Sequence, residues 1–350
     1  MSTWANCTKH LLPQFLSTKP DDWRNAVTTS RRFPRTVLIA LLALLFGVVT
    51  ACSSPAEDEG NHQVSIDLLG GQTASIEVPK KPTRVISLLN NWTATLAALD
   101  VPITAEFVQQ GYGGPNNKFA WTPEHQSEVV VTAADTMPTV DDIARFDPDL
   151  IIAGQTLDKD LLDGYTKLAP TITVLNKNGP VDTWQDIATA TGKILGKESQ
   201  AADLVAKTQR NIDSFKSEHA GAQGKTLTYA LFQSTGGFGA INSVKDPAAA
   251  LLTELGFTLN TQLAAQHDGS TTRSRLSPER IDLLDSDMLL AYTLGDPAAL
   301  NRIPGYNTLT AVRNGTVVYL NNDTSPAFGV PSAPSVDYVT QNLGQVASKF

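Results

Sequence analysis

The sequence predicts an α/β protein of two similar α/β lobes joined by one long helix, with a ligand cleft between the lobes. Three observations lead to this fold class. A helix–strand segment occurs twice, at residues 139–153 and 277–291, and short apolar runs typical of buried parallel strands surround each copy. Between the copies, residues 183–220 contain no proline and keep a helical apolar period. Two similar lobes that face each other form a cleft, and clefts bind ligands.

The two copies of the repeat, TVDDIARFDPDLIIA and SPERIDLLDSDMLLA, align without a gap. Each begins with an N-cap residue, Thr139 or Ser277, and has an acid in the first helical turn. Each then passes through Asp-x-Asp into an apolar run that suits a buried strand. A chance match of two common junctions is the alternative, but the matching positions stand in the same order throughout. They include Asp141 with Glu279, Asp147 with Asp285 and Asp149 with Asp287.

Residues 1–51 have the features of a lipoprotein signal peptide. The apolar stretch 37–51 follows three arginines, and at about fifteen residues it is too short for a membrane span, which needs roughly twenty. It ends in Val-Thr-Ala-Cys, which resembles the bacterial lipobox, so we expect Cys52 to be lipidated and to become the mature N-terminus. Ordinary secretion with cleavage near Ala51 is the alternative. The sequence leaves open the true translation start and the choice between Sec and twin-arginine export.

The mature chain is acidic and has no free thiol. The formal net charge is −8, and the signal peptide holds six bases and two acids, so 21 bases and 33 acids remain and give −12. An acidic exported protein is a poor partner for nucleic acid. Cys7 is lost with the signal peptide and Cys52 carries lipid, which leaves no cysteine for a disulfide, a catalytic thiol or zinc. Residues 52–63 are polar and predict a lipid-anchored tether.

Residues 64–180 predict the N-terminal lobe. Alternating runs on either side of Gly70-Gly71 predict a β-hairpin over 64–68 and 73–78. A buried strand and a helix follow it. The expected elements are strand 84–89, helix 93–99, strand 129–132, the first repeat segment and strand 169–175.

Residues 181–222 predict the connecting helix, which would span about 36 Å over 197–220 as a stiff spine. Residues 223–350 predict a C-terminal lobe that repeats the order of the first. Its expected elements are strand 226–233, helix 247–255, the second repeat segment with strand 288–292, helix 308–312, strand 317–320 and helix 335–349.

This order of elements behind a lipobox resembles the helical-backbone class of substrate-binding proteins, which serve bacterial importers of iron–siderophore complexes, haem and cobalamin. The resemblance covers residues 64–350, and within the class it is greatest to ferric-enterobactin binding proteins, over 82–102 and the Leu-Gly-Phe-Thr-Leu that ends at Leu259. The matching stretches are Pro82-Thr-Arg-Val-Ile-Ser, Asp147-Pro-Asp-Leu-Ile-Ile, Leu168-Ala-Pro-Thr, Leu251-Leu-Thr-Glu-Leu-Gly-Phe and Ser277-Pro-Glu-Arg.

The resemblance implies an extracytoplasmic, lipid-anchored protein on the cell membrane that captures a ferric siderophore, with a leaning to a catecholate. It implies delivery to an ABC permease dimer and its ATPase, a monomeric state, and no resident cofactor. Haem or cobalamin as ligand stays open. A surface-anchored enzyme is the alternative from another class, although the sequence has no familiar hydrolase, P-loop or zinc-protease motif.

A ferric tris-catecholate is aromatic and trianionic, so its site needs aromatic faces and several Arg or Lys side chains. The histidines are scattered and no two tyrosines are neighbours, so we expect iron to arrive already chelated. Ligands of α/β lobes bind beyond the carboxyl ends of the strands. We expect the loops there to carry Trp92 in the first lobe and Phe238, Arg273 and Arg275 in the second, and we expect the Trp92 and Phe238 rings to be poorly buried because each stands beside Asn or Gly. For each aromatic candidate there, core packing is the alternative, and for the two arginines it is a solvated surface charge. The expected ligand contacts are Trp92, Tyr112, Trp121, Gln155, Phe238, Asn242, Arg273, Arg275 and Tyr292.

Asp141 and Glu279 fall where the class carries an exposed carboxylate on each lobe, which docks against arginines of the permease. Asp141 is one methylene shorter than the usual glutamate. The alternative role is complementation of a helix dipole, worth about 0.3–1 kcal/mol. Arg84 matches the family's Pro-x-Arg but begins a strand, so we expect it to be structural.

Overall fold

A computed structural model describes residues 60–350, apart from 68–72, 135, 157, 177–180, 233–236 and 270. The predicted signal peptide and Cys52 lie outside the described residues. Within these ranges, no helix has both the length and the apolar character needed to cross a bilayer.

Nine of the strands in the described ranges lie at or next to predicted strands. The strands of these ranges are β1 (Asn61–Asp67), β2 (Thr73–Pro79), β3 (Val85–Ser87), β4 (Ala105–Gln109), β5 (Glu128–Thr132), β6 (Leu150–Gly154), β7 (Thr171–Thr173), β8 (Thr226–Phe232), β9 (Phe238–Ile241), β10 (Thr258–Leu259), β11 (Arg273–Leu276), β12 (Met288–Thr293) and β13 (Val317–Leu320). Of these, β4, β9, β10 and β11 were not predicted.

Most of the helices lie between strands of the two sheets. The α-helices are α1 (Asn90–Ala98), α2 (Val140–Ala144), α3 (Lys159–Leu168), α4 (Trp184–Leu195), α5 (Glu198–Glu218), α6 (Pro247–Glu254), α7 (Thr261–Ala264), α8 (Thr310–Arg313), α9 (Ser325–Gly329) and α10 (Ala333–Ala347). Short 3-10 helices cover Gly114–Asn116, Ala220–Ala222, Pro278–Leu284, Pro297–Arg302 and Tyr306–Thr308.

The N-terminal lobe is built on a parallel sheet with the strand order β5-β4-β3-β6-β7, preceded by the predicted antiparallel hairpin β1–β2. Both faces of the sheet are covered. Val85, Leu150 and Ile152 pack in the cluster that contains residues of α1 and α4. Ile86 and Ile151 pack on the opposite face, in the cluster that contains residues of α2 and α3. Coverage on both faces explains why these strands are continuous apolar runs.

The C-terminal lobe repeats this topology with one addition. Its sheet has the order β11-β9-β8-β12-β13, and β10 pairs with β8 in parallel. The parallel path β10-β8-β12-β13 corresponds to β4-β3-β6-β7 of the first lobe. In this lobe β9 runs antiparallel along the carboxyl half of β8. The strand β10 therefore pairs only with the first two residues of β8, Thr226 and Leu227. The strands β9 and β11 were expected as loops, and that expectation is wrong.

The sequence repeat has the same structural task in both lobes. Asp149 accepts a hydrogen bond from the backbone N–H of Thr83, at 2.8 Å, just before β3. Asp287 accepts one from the backbone N–H of Thr226, also at 2.8 Å, at the start of β8. Each aspartate therefore ties the start of its own strand to the start of the neighbouring strand.

Arg84 has the structural role expected of it. Its Nε atom donates to the backbone carbonyl of Asp147 and lies 3.6 Å from the Asp147 carboxylate. Asp147 has φ 46°, so the chain turns sharply at this aspartate. Arg84 therefore holds the turn that leads from α2 into β6.

The connection between the lobes consists of two helices rather than one. Gly196, with φ 62°, ends α4, and the predicted long helix begins after it as α5, which spans about 31 Å. Trp184 and Gln185 of α4 donate to Glu254 at the end of α6, at 3.2 and 2.9 Å. Residues 59–350 form one compact unit, so the lobe boundaries at residues 180 and 222 stay a prediction.

A buried acid before α4 makes stability depend on pH. Asp182 is 1 % exposed and accepts hydrogen bonds from the backbone N–H groups of Leu175 and Asn176, at 2.7 and 2.8 Å. Burial outweighs these bonds and raises the pKa of Asp182 to about 6, from 3.8. The folded state therefore holds this proton more tightly than the unfolded chain does. The resulting stabilisation is complete below the unfolded pKa and is lost as the pH rises through about 6.

In the wild type, we expect the loss of the Asp182 proton to lower the free energy of unfolding by about 3 kcal/mol between about pH 4 and about pH 7. The Asp182→Asn variant has no such proton, so we expect this decrease to be absent from it. Urea unfolding of the wild type and the variant across this pH range measures the difference. An identical pH dependence in the two proteins would contradict the prediction.

Candidate ligand-binding site

The carboxyl-end loops of the two sheets meet. Tyr112 follows β4 in the N-terminal lobe, Tyr292 lies near the end of β12 in the C-terminal lobe, and their hydroxyl oxygens are 3.2 Å apart. The backbone N–H of Gly114 donates to the carboxylate of Asp323, which follows β13, at 2.7 Å. Because both loops leave the carboxyl ends of parallel strands, these two sheet edges face each other. The ligand cleft was predicted at these edges.

One row of residues lies near the carboxyl end of the C-terminal sheet. The strand registers align Tyr292 with Leu231, Leu231 with Gly239 and Gly239 with Arg275. Residues directly opposite each other in neighbouring strands point to the same face of a sheet. Tyr292 and Arg275 therefore share a face, and Gly239 places no side chain between Leu231 and Arg275. Arg275 is exposed.

Tyr292 and Tyr229 of the C-terminal sheet are neutral hydrogen-bonding groups. Tyr292 donates to the amide oxygen of Asn322 at 2.7 Å, and Tyr229 donates to the carbonyl of Ser325 at 3.3 Å. Burial raises the pKa of Tyr292 above its ordinary value, and the neighbouring Tyr112 adds to the effect. Burial likewise raises the pKa of Tyr229. Neither phenol ionises at physiological pH.

Arg273 already has a partner inside the protein. Its Nε and Nη2 atoms donate to the two carboxylate oxygens of Asp246 at 2.7 and 3.2 Å, and Nη2 also donates to the carbonyl of Gly329 at 3.1 Å. Burial disfavours the charged form, but the carboxylate outweighs it and keeps the pKa of Arg273 above its ordinary value. Arg273 is thus a paired cation, although its side chain is 36% exposed. Its predicted ligand contact stays a prediction.

Two predicted aromatic contacts lie in the core instead of the cleft. Trp92 was expected in a loop, but it belongs to α1 and is 0 % exposed. Phe238 was also expected in a loop, but it belongs to β9 and is 0 % exposed. Its ring packs against that of Phe232, with the ring centroids 5.2 Å apart. The alternation of the strand turns Phe238 into the core and Gly239 to the face of Tyr292. The expectation that these two rings are poorly buried is wrong.

Two further predicted residues lie away from the Tyr112–Tyr292 contact. Trp121 is buried against Tyr338 of α10, with ring centroids 5.3 Å apart, and borders a groove of about 770 Å³ lined by α5, α10 and the C-terminal end of α1. The N-terminal end of α1 follows β3 at the carboxyl edge of the sheet, so this groove lies at the other end of the helix. Asn242 is 2 % exposed and donates to the hydroxyl of Ser274 at 2.6 Å. Because β9 is antiparallel to β8, Asn242 follows it away from the carboxyl ends.

Gln155 lies where it was expected, directly after β6, and is half-buried. Its amide nitrogen has no hydrogen-bond partner in the structure, and neither has that of Asn90, which follows β3. Asn90, Asn322 and Asp323 were missed as candidates. Their position within three residues of the end of a strand was the available signal.

The two predicted docking residues are exposed at the starts of short helices. Asp141 is in the first turn of α2, but Asp142 forms the capping box with Thr139. Glu279 is in the first turn of the 3-10 helix Pro278–Leu284, and a hydrogen bond from Ser277 lowers the pKa of Glu279. Their exposure is confirmed, and their docking role stays a prediction.

Within the described ranges, His, Cys, Asp and Glu side chains form no group of three or more that could hold a metal ion.

Comparison with known proteins agrees with the two-lobe architecture. The chain is 25% identical over 265 residues to the probable siderophore-binding lipoprotein YfiY of Bacillus subtilis, which covers 73% of this chain and 78% of the relative. It is 24% identical over 265 residues to the ferric enterobactin-binding periplasmic protein FepB of Escherichia coli, which covers 70% of this chain and 80% of the relative.

Among solved structures, PiaA of Streptococcus pneumoniae in complex with ferrichrome superposes with a TM-score of 0.67 at 22% identity, over 82% of this chain and 99% of that one. This likeness supports the fold. Residues 95–324, more than half of the chain, match the family described as periplasmic binding protein. The chain therefore belongs to the periplasmic binding protein family.

Proposed function

We propose that the protein is an extracytoplasmic solute-binding protein that captures a ferric siderophore and delivers it to an ABC import permease. The observation that carries this proposal is the contact between Tyr112 and Tyr292 at the carboxyl ends of the two sheets, in a chain of this family. The names of YfiY and FepB point to a siderophore as the ligand. The protein binds and releases its ligand without altering it.

The polar groups of the cleft suit a metal that arrives already chelated. Tyr112 and Tyr292 offer neutral phenols, and the unpartnered amide nitrogen of Gln155 is a further donor. A ligand that enters between the two tyrosines can replace their mutual hydrogen bond with bonds to its own peripheral oxygen atoms, and the phenol rings can pack against its apolar faces.

Titration of the purified protein with ferric siderophores, haem and cobalamin tests the proposal. We expect saturable binding of an iron-loaded siderophore, weaker binding of its iron-free form, and unchanged ligand after prolonged incubation. Calorimetry is the suitable readout, because Trp92 is in the core and its fluorescence does not report directly on the cleft. Binding of haem or cobalamin alone, or the appearance of a reaction product, would contradict the proposal.

We expect Tyr112→Ala to weaken siderophore binding about tenfold, because the ligand loses a hydroxyl donor and an aromatic face. Tyr319→Ala is the matched control. Tyr319 is 46% exposed and pairs with Ala291, so it points to the sheet face opposite that of Tyr292. Equal affinities of the two variants would show that Tyr112 makes no ligand contact.

Anchoring has its own test. We expect Cys52→Ala to release the protein from the membrane or to leave the precursor unprocessed, because the lipidated side chain is removed. Cys7→Ala is the matched control and should be anchored normally, since Cys7 precedes the proposed cleavage site. Membrane fractionation and the size of the mature chain decide the result. Normal processing and anchoring of the Cys52→Ala variant would exclude a lipid anchor.

A further inference from the structure

We infer that the groove bordered by Trp121 is a second binding site, which takes a free basic peptide of about four or five residues. The groove has a volume of about 770 Å³ and is lined by the last residues of α1, the loop 120–124 and the helices α5 and α10. Sites that hold small ligands have volumes in this range. Neither Tyr112 nor Tyr292 lines the groove, so this inference and the proposed function can fail independently of each other.

The first observation is the set of acids around the groove. Four carboxylates line it, and each comes from a different element. They are Asp100 after α1, Glu124 in the loop, Asp203 on α5 and Asp337 on α10. Among the residues that the structure describes, no Lys, Arg or His nitrogen lies within 4.0 Å of any of these carboxylates. Because their charges are not neutralised by an ion pair, they attract a cationic ligand.

The spacing of the acids indicates an extended ligand rather than a single ion. In the part of the chain that the structure describes, no three His, Cys, Asp or Glu side chains lie close enough to hold one metal ion. A single ion would therefore leave most of the four carboxylates without a partner. The lining residues of α5 run from Gln200 to Arg210, which is about 15 Å along the helix. An extended peptide of about four or five residues has this length, and its positive charges are spread along it.

Two bases in the groove favour a peptide over a polyamine. Lys207 and Arg210 both line the groove from α5, and at a spacing of three residues they lie on the same side of that helix. Within the described ranges, neither has an Asp or Glu oxygen within 4.0 Å. A free basic peptide has one terminal carboxylate for these bases and several cations for the acids. A polyamine has cations alone, so Lys207 and Arg210 would repel it.

The indole of Trp121 adds an unused hydrogen-bond donor at the groove. Trp121 is 7% exposed and borders the groove, and its Nε1 atom has no acceptor in the structure. A buried donor without an acceptor is unfavourable, and a backbone carbonyl of a peptide supplies one. Tyr338, which is half-buried and packs against Trp121, adds an aromatic ring that attracts cationic side chains.

Calorimetric titration of the purified protein with tetralysine tests this inference, and tetraglycine is the control peptide without charged side chains. We expect tetralysine to bind at least about tenfold more tightly, and its affinity to fall as the salt concentration rises from about 50 to about 500 mM. We expect tetralysine with a C-terminal amide to bind about threefold more weakly than the free acid, although the amide carries more positive charge. Tetralysine that binds no more tightly than tetraglycine would overturn the inference. Equal or tighter binding of the amide, or of the polyamine spermine, would overturn the assignment to a free peptide.

Two double variants with the same change of charge locate the site. Asp203→Asn with Asp337→Asn removes two negative charges from the groove and keeps an oxygen acceptor for the Asn211 amide, which donates to Asp337. We expect this variant to bind tetralysine about tenfold more weakly at low salt. Asp160→Asn with Asp213→Asn removes two exposed acids that do not line the groove, and it should change the affinity by less than about twofold. Equal weakening in both variants would show that the peptide binds the acidic surface in general, and it would overturn the inference.

Discussion

Arginine in place of both Asp141 and Glu279 is expected to abolish ligand uptake while the affinity for the ligand stays nearly the same. The two acids lie at equivalent points of the sequence repeat, one per lobe, and both are exposed. If they dock against arginines of a two-fold permease, charge reversal sets like charges against each other across the interface. Neither acid lies at the Tyr112–Tyr292 contact, so ligand binding should survive.

Uptake of iron-loaded siderophore by whole cells measures the transport effect, and calorimetry measures the affinity. A cation at a helix N-terminus costs about 0.3–1 kcal/mol, so a melting curve must accompany both. The double variant Asp160→Arg with Glu198→Arg is the matched control, because these are also exposed acids in the first turn of a helix. Normal uptake by a folded Asp141→Arg, Glu279→Arg variant would refute the docking role.

Arg273→Ala is expected to lower the free energy of unfolding by about 3 kcal/mol or more, because it leaves the Asp246 carboxylate buried without its counter-charge. That is a large part of the total stability of an ordinary domain, about 5–15 kcal/mol. Arg275→Ala, two residues along the same strand, is the matched control. Since Arg275 is exposed, its removal should change stability by less than about 0.5 kcal/mol.

Urea unfolding of both variants provides the measurement, and ligand titration of Arg275→Ala completes it. We expect its affinity to fall about tenfold, because a charge-assisted contact with the chelate is lost. An Arg273→Ala variant as stable as the wild type would show that the Asp246 carboxylate does not need the arginine.

Much of the fold follows from local signals in the sequence. Leu150–Ile152 was predicted as a buried parallel strand from its apolar run, and all three residues are buried in β6. Thr139 was predicted as a helix N-cap, and its side chain accepts a hydrogen bond from the N–H of Asp142. These features depend on residues a few positions apart, so alternation and capping chemistry are sufficient to predict them.

Features that depend on pairing between distant segments were not predicted. The strand β9 is only four residues long and has a glycine within it and another beside it, and β11 begins with Arg-Ser-Arg, so neither gives a clear strand signal. They form strands because each completes the hydrogen bonds of a neighbour in the sheet. The predicted position of Phe238 was wrong for this reason, since the side on which a residue lies is defined only once its strand is paired.

The sequence alone determined the two similar lobes, the buried strands and the acidic exported body, because periodicity, repetition and charge are local or additive properties. Only the tertiary structure brought Tyr112 to Tyr292 and gave Arg273 its partner Asp246. The two tyrosines are 180 positions apart, and the ion pair joins residues 27 positions apart. Contacts at such separations follow from sheet topology and packing, and no pattern along the chain specifies which charge is neutralised or which ring faces the ligand.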